Sequence, residues 1–168
     1  MVLKVFRNSC NKQTGVITIA FSPNGRSLVS GSLNESVHIW NLRDGSSKIM
    51  PVTGSTSYFL SVAFSPDGRY IAGGNLNFSL WIWDSRRQKV VAQWWGHTNA
   101  VNCIEFTGDG KRLMSGSNDR TVKCWDMTSL GSGSELQSFP EIQGFSGHTV
   151  RLFCLFFNHK LTETTGCR

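Results

Sequence analysis

The sequence has no continuous apolar run long enough to cross a bilayer. Its N-terminus, Met1 to Arg7, lacks a signal-peptide layout, because the apolar stretch is short and Lys4 interrupts it. Together these point to the cytosol or nucleus. No Lys/Arg run exceeds two residues, and acidic residues are interleaved with the basic ones. The net charge of +6 therefore reads as a solvated surface rather than a nucleic-acid-binding patch. None of the cysteines, Cys10, Cys103, Cys124, Cys154 and Cys167, forms a CxxC pair, and no histidine stands at metal-ligand spacing from one. We expect reduced, buried thiols, no metal and no cofactor. No G-x-S-x-G elbow is present, and Gly131-Ser-Gly133 is not followed by the Lys-Ser/Thr of a phosphate loop.

What the sequence does have is a repeat. Ile19-Ala-Phe-Ser-Pro-Asn-Gly-Arg26 recurs as Val62-Ala-Phe-Ser-Pro-Asp-Gly-Arg69 and as Ile104-Glu-Phe-Thr-Gly-Asp-Gly-Lys111. Second matches follow at Leu28–Ser32, Ile71–Asn75 and Leu113–Ser117, and each copy ends on a tryptophan: Trp40, Trp83 or Trp125. Phe21 to Trp40, Phe64 to Trp83 and Phe106 to Trp125 are each 19 residues, and the period is 43 and then 42. A period of this size marks stacked structural repeats. Within each copy, β-rich runs alternate with Asn/Asp-Gly turns, preceded by proline in the first two copies, and with Asn/Asp turn chemistry. Four short strands per repeat predict an all-β fold of propeller blades.

Gly96-His97 before a strand, the serine before glycine in the second strand, and Asp126 after Trp125 resemble the hallmarks of the WD-repeat family over about residues 11 to 157. The resemblance implies a protein-binding scaffold rather than an enzyme. It also explains His97, Ser115 and Asp119, which are the three residue types of an acyl-transfer triad. In the family these residues and Trp125 form a buried structural brace. The same brace maps in part to Ser30, Asn34 and Trp40 in the first repeat, where Lys12 falls at the histidine position. In the second it maps to Asn77 and Trp83, with Gly73 for serine and Ser55 for histidine. Those two braces are expected to be incomplete and their turns less rigid.

The resemblance further implies an incomplete propeller. The expected order is a last strand of a preceding blade (1–10), blade one (11–50), blade two (51–95) and blade three (96–126 plus a following strand). A flexible insertion (127–146), the opening of a fourth blade (147–157) and a non-repeat tail (158–168) follow. Three blades and one strand do not close a ring. We expect a fragment or truncated product that self-associates through open edges or by two copies completing a ring. The family's usual contact positions fall here on Ile17, Leu33, Leu60, Leu76, Asn102 and Asn118, with Tyr58 and Trp95 nearby. The run Leu113–Asp126, followed by a polar insertion, is similar to fungal Groucho-like general transcriptional corepressors, which implies a nuclear platform for other proteins. A ubiquitin-ligase substrate receptor, a signalling adaptor and a non-functional truncated product remain alternatives.

Overall fold

The structure is a computed structural model that describes residues 15–53, 57–128, 130 and 141–146. Among the described residues it is all-β, with twelve strands. β1 (Val16–Phe21), β2 (Ser27–Ser32), β3 (Val37–Asn41) and β4 (Ser47–Met50) form the first antiparallel sheet. β5 (Phe59–Phe64), β6 (Tyr70–Asn75), β7 (Ser79–Asp84) and β8 (Lys89–Trp95) form the second. β9 (Val101–Phe106), β10 (Arg112–Ser117), β11 (Thr121–Asp126) and β12 (Glu141–Ser146) form the third. The sheets are the blades of an incomplete propeller, and β1, β5 and β9 line up side by side as their inner strands.

The turn chemistry read from sequence sets the hairpins. Gly25, Gly68 and Gly110 take φ of 65°, 70° and 68°, a region that costs glycine little. Just before them, the side chains of Asn24, Asp67 and Asp109 accept the N–H groups of Arg26, Arg69 and Lys111 at 3.0, 2.9 and 3.0 Å. Each hairpin then brings the same rows of residues into register: Phe21-Leu28-Trp40, Phe64-Ile71-Trp83 and Phe106-Leu113-Trp125.

Because side chains alternate across a strand, each blade offers one face to the blade before it and one to the blade after. Val29, Val37 and Met50 of blade one pack with Phe59, Val62, Ile71, Trp81 and Trp83 of blade two. The other face of blade two, including Ala63, Ala72, Leu80, Ile82 and Trp94, packs with Val101, Ile104, Phe106, Leu113 and Trp125 of blade three. Glycine lets these sheets come close. A Cβ at Gly31 would stand 3.0 Å from the Phe59 carbonyl oxygen, and one at Gly74 would stand 2.9 Å from that of Val101.

Two expectations need correction. The insertion read over 127–146 is not irregular throughout. Glu141–Ser146 is β12, paired along β11 from Thr121↔Ser146 to Trp125↔Glu141. At the other end Met127 is buried, Leu130 packs on the core of blades two and three, and the Tyr70 hydroxyl donates to the Leu130 carbonyl at 3.1 Å. The cysteines are not all reduced thiols: Cys124 is free and buried, whereas Cys103 is disulfide-bonded. The segments read as 1–10, 147–157 and 158–168, together with Lys12 and Ser55, lie outside the described residues.

Candidate functional site

Blade three holds the constellation that looks like a catalytic triad. Trp125 Nε1–H donates to Ser115 Oγ at 2.7 Å. Ser115 Oγ is also 2.7 Å from His97 Nε2, and His97 Nδ1 is 2.7 Å from Asp119 Oδ2. An indole can only donate and a carboxylate can only accept. The consistent assignment therefore runs one way, from indole to hydroxyl, hydroxyl to Nε2, and Nδ1–H to carboxylate. Asp119 also accepts from Thr98 N at 3.0 Å, Thr121 N at 2.9 Å and the Thr121 hydroxyl at 2.7 Å. Burial alone would raise the Asp119 carboxyl. The bonds from the Thr121 hydroxyl, His97 and the two backbone N–H groups outweigh it and hold the pKa well below the usual carboxylate range.

The local sequence places each member. His97 sits in the loop between β8 and β9, Ser115 on β10, Asp119 in the β10–β11 turn and Trp125 on β11. Gly96 makes room, since a Cβ there would stand 2.8 Å from the Trp125 ring. Trp94 stacks on Trp125 with centroids 5.6 Å apart. Ser115 is only 1% exposed. Its oxygen is engaged by both the indole and the imidazole.

Blade one divides the same parts. Trp40 Nε1–H donates to Ser30 Oγ at 2.8 Å. Asn34 serves its own turn, accepting from Ser36 N at 3.2 Å and from the Ser36 hydroxyl. His38, on β3 rather than in a loop, reaches Ser36 Oγ at 3.1 Å and stacks on Trp40 at 5.7 Å. Sequence reasoning passed over this histidine because it stands at no family position.

Blade two replaces the hydroxyl with rings. A Cβ at Gly73 would meet Trp83 and Phe59 side-chain atoms at 2.9 Å, so the missing serine leaves no void. Trp83 stacks with Trp81 at 6.1 Å and meets Phe59 at 5.6 Å. Its Nε1–H donates to the Pro51 carbonyl at 2.7 Å. Asn77, Ser79 and Trp81 form a second short chain, with Trp81 Nε1 to Ser79 Oγ at 3.0 Å and Ser79 Oγ to Asn77 Oδ1 at 2.6 Å. The pattern Asn-x-Ser-x-Trp was the available signal for it.

The predicted contact residues gather at the blade ends that carry His97 and Asp119. The same backbone bond recurs in each blade: Leu33 N to Gly15 O, Leu76 N to Tyr58 O, and Asn118 N to Ala100 O, at 3.1, 2.9 and 3.0 Å. This bond sets Leu33, Leu76 and Asn118 beside the starts of the inner strands, where Ile17, Leu60 and Asn102 lie. Ile17, Leu33, Tyr58, Leu76 and Trp95 are exposed, and Leu60 is half-buried. In blade three the pair is polar, and Asn102 Nδ2 donates to Asn118 Oδ1. The structure adds Phe78, which sequence reasoning missed. It is 40% exposed and takes φ of 75°, a costly conformation for an aromatic residue. Among the described residues no group of three His, Cys, Asp or Glu side chains could hold a metal ion.

The profile of the WD domain, G-beta repeat family matches residues 2–41, 46–84 and 88–126. The chain belongs to the WD-repeat family. The second and third matches each begin at the outer strand of one blade and end at the third strand of the next, so every sequence repeat stitches two sheets together. The chain is 31% identical to mouse Transducin-like enhancer protein 2 over 76% of its own length. It is also 31% identical to Protein groucho of Drosophila melanogaster over 71% of its length. It spans 16% of each of these relatives. The fold is shared with the structure of U3-55K and with the RRP9 WD40 repeats, at TM-score 0.77 and 24% identity in both cases. These alignments cover 88% of this chain and 43% and 42% of those chains.

Proposed function

We propose that this chain is a non-catalytic scaffold that binds other proteins through the rim carrying Ile17, Leu33, Tyr58, Leu60, Leu76, Trp95, Asn102 and Asn118, in the manner of a Groucho-type transcriptional corepressor acting in the nucleus. The observation that carries the reading is the row of exposed apolar side chains on that rim. Large apolar groups gathered at one surface suit a protein interface. The relay of His97, Ser115, Asp119 and Trp125 is its structural brace, with Ser30 and Trp40 and with Asn77 and Trp83 as divergent counterparts. Neither nucleic acid nor membrane is expected as a direct partner.

Tethering the 168-residue chain to a DNA-binding domain upstream of a reporter tests the corepressor role. Repression is expected, and Leu76→Glu with Trp95→Glu should abolish it while leaving protein levels unchanged. No repression by the parent chain contradicts the role; repression that survives the double variant contradicts the rim. For the absence of catalysis, a fluorophosphonate probe should leave Ser115 unlabelled. Labelling of Ser115 in the folded chain would contradict the reading.

A further inference from the structure

At the blade ends opposite the rim, the two joints between neighbouring blades are filled unequally. Between blades two and three, Tyr70 and Met127 are 9% and 4% exposed, and Leu130 packs against the cluster they belong to. Between blades one and two, the same positions are held by Ser27 and Ser85. Ser27 pairs with Asn41 as Tyr70 pairs with Asp84. Ser85 N donates to Arg69 O as Met127 N donates to Lys111 O, at 2.8 and 2.9 Å. Two short polar side chains thus stand where a ring and a thioether fill the other joint. Lys48 stands opposite Ile39 where the buried Ala92 stands opposite Ile82. A cleft of about 890 Å³ opens there.

The cleft is lined by Arg26, Arg43, Lys48 and Arg86 and by no Asp or Glu. Arg26, Lys48 and Arg86 are exposed, and among the described residues their side chains make no hydrogen bond or ion pair. The acids of the adjoining turns are engaged locally. Asp84 accepts the N–H groups of Arg86 and Arg87 at 3.0 and 2.8 Å. Asp44 accepts the N–H and hydroxyl of Ser46 at 2.8 and 2.7 Å. Charges of one sign gathered in a cleft focus their field and concentrate counter-ions.

We propose that this cleft binds an acidic segment of a partner protein, an extended stretch carrying several Asp or Glu side chains. The cations come from three separate places: the start of β2, strand β4 and the β7–β8 turn. That spread suits carboxylates spaced along a chain rather than one phosphate. Ser27, Asn41, Ser46 and Gln88 line the same cleft and offer donors and acceptors to a peptide backbone. Single-stranded nucleic acid would need an aromatic platform for its bases. Trp40, the aromatic residue among those lining the cleft, is 5% exposed. No basic run in the sequence announces the site, because its cations lie far apart along the chain.

Fluorescence anisotropy with a labelled oligoglutamate peptide and the 168-residue chain tests this. Saturable binding is expected that weakens as salt rises. Lys48→Glu and Arg86→Glu, both at exposed positions, should each raise the dissociation constant by about tenfold or more. Arg120→Glu makes the same change of net charge at the far end of blade three, in a turn position that Glu35 already occupies in blade one with similar φ. It should leave binding unchanged. Ser27→Tyr with Ser85→Met imports the side chains that fill the other joint, removes no charge, and should abolish binding. If that pair disturbs the circular dichroism, the single charge reversals decide. Absence of saturable binding at low salt overturns the proposal. Equal weakening by Arg120→Glu also overturns it, because net charge alone would then attract the peptide. So does undiminished binding in the folded Ser27→Tyr, Ser85→Met variant, or tighter binding of an oligothymidylate than of the peptide.

Discussion

Blades two and three share one strand register, yet they secure their inner tryptophans by different means. Trp125 of blade three ends a relay of polar groups that crosses from β11 through β10 to the loop before β9 and back to the β10–β11 turn. Blade two has Gly73 where blade three has Ser115, so Trp83 lacks that serine. It lies among Trp81, Phe59 and the space that Gly73 leaves, and it gives its N–H to a backbone carbonyl. The relay is directional and depends on each donor and acceptor being present. The stack depends on area and shape. The same blade geometry thus tolerates loss of the polar motif where large rings fill the space. A position that reads as a broken brace in sequence can therefore be a well-packed one.

The largest effect that can break this contrast is loss of either tryptophan. Trp83→Ala and Trp125→Ala should each cost about 3–5 kcal/mol, because both side chains are fully buried. Trp125→Ala also leaves Ser115 Oγ without its donor. Thermal unfolding of the two variants measures this, and an unchanged transition in either would remove that tryptophan from the account.

Gly73→Ser is the sharper experiment. It supplies the hydroxyl that the family pattern calls for, but its Cβ would stand 2.9 Å from Trp83 and Phe59 atoms. Destabilisation of about 1–3 kcal/mol is expected from overpacking. A gain in stability in denaturant unfolding would mean that blade two does lack a brace.

In blade three, Ser115→Ala should cost about 1–3 kcal/mol, since it strands the Trp125 N–H and the His97 Nε2 in a buried site. A neutral result would show that the relay is dispensable.

The smallest effect is the response to acid. The Asp119 carboxyl is depressed in the fold, so its contribution is present above the ordinary carboxylate pKa of about 3.9 and is lost as pH falls through the folded value. Asp119→Asn should flatten the acid limb of stability against pH. An identical acid limb in the variant would contradict the assignment.

The blade geometry was open to reading because it rests on short-range chemistry: Asn/Asp-Gly turns, period-two strands and tryptophans 19 residues after each phenylalanine. The relay was legible through the resemblance to WD repeats, which assigned a brace to His97, Ser115, Asp119 and Trp125. What could not be read depends on contacts across the sheets. Nothing local marks the Pro51 carbonyl as the acceptor for Trp83, 32 residues away. Gly73 reads as a lost serine until the rings around it are placed. A strand following Asp126 was expected in blade three, but its place at Glu141–Ser146, beyond a Ser/Gly-rich stretch, is set by pairing with β11. The backbone strain at Phe78 is likewise invisible in a list of residue types.

The direct test of two separate ways of holding a tryptophan is solvent exchange of the indole N–H protons, resolved by nuclear magnetic resonance in the parent chain and in Ser115→Ala. The account predicts that Trp125 Nε1–H exchanges much faster in the variant, while Trp83 Nε1–H, bonded to Pro51, keeps its protection. Equal loss at both tryptophans, or undiminished protection at Trp125, would contradict it.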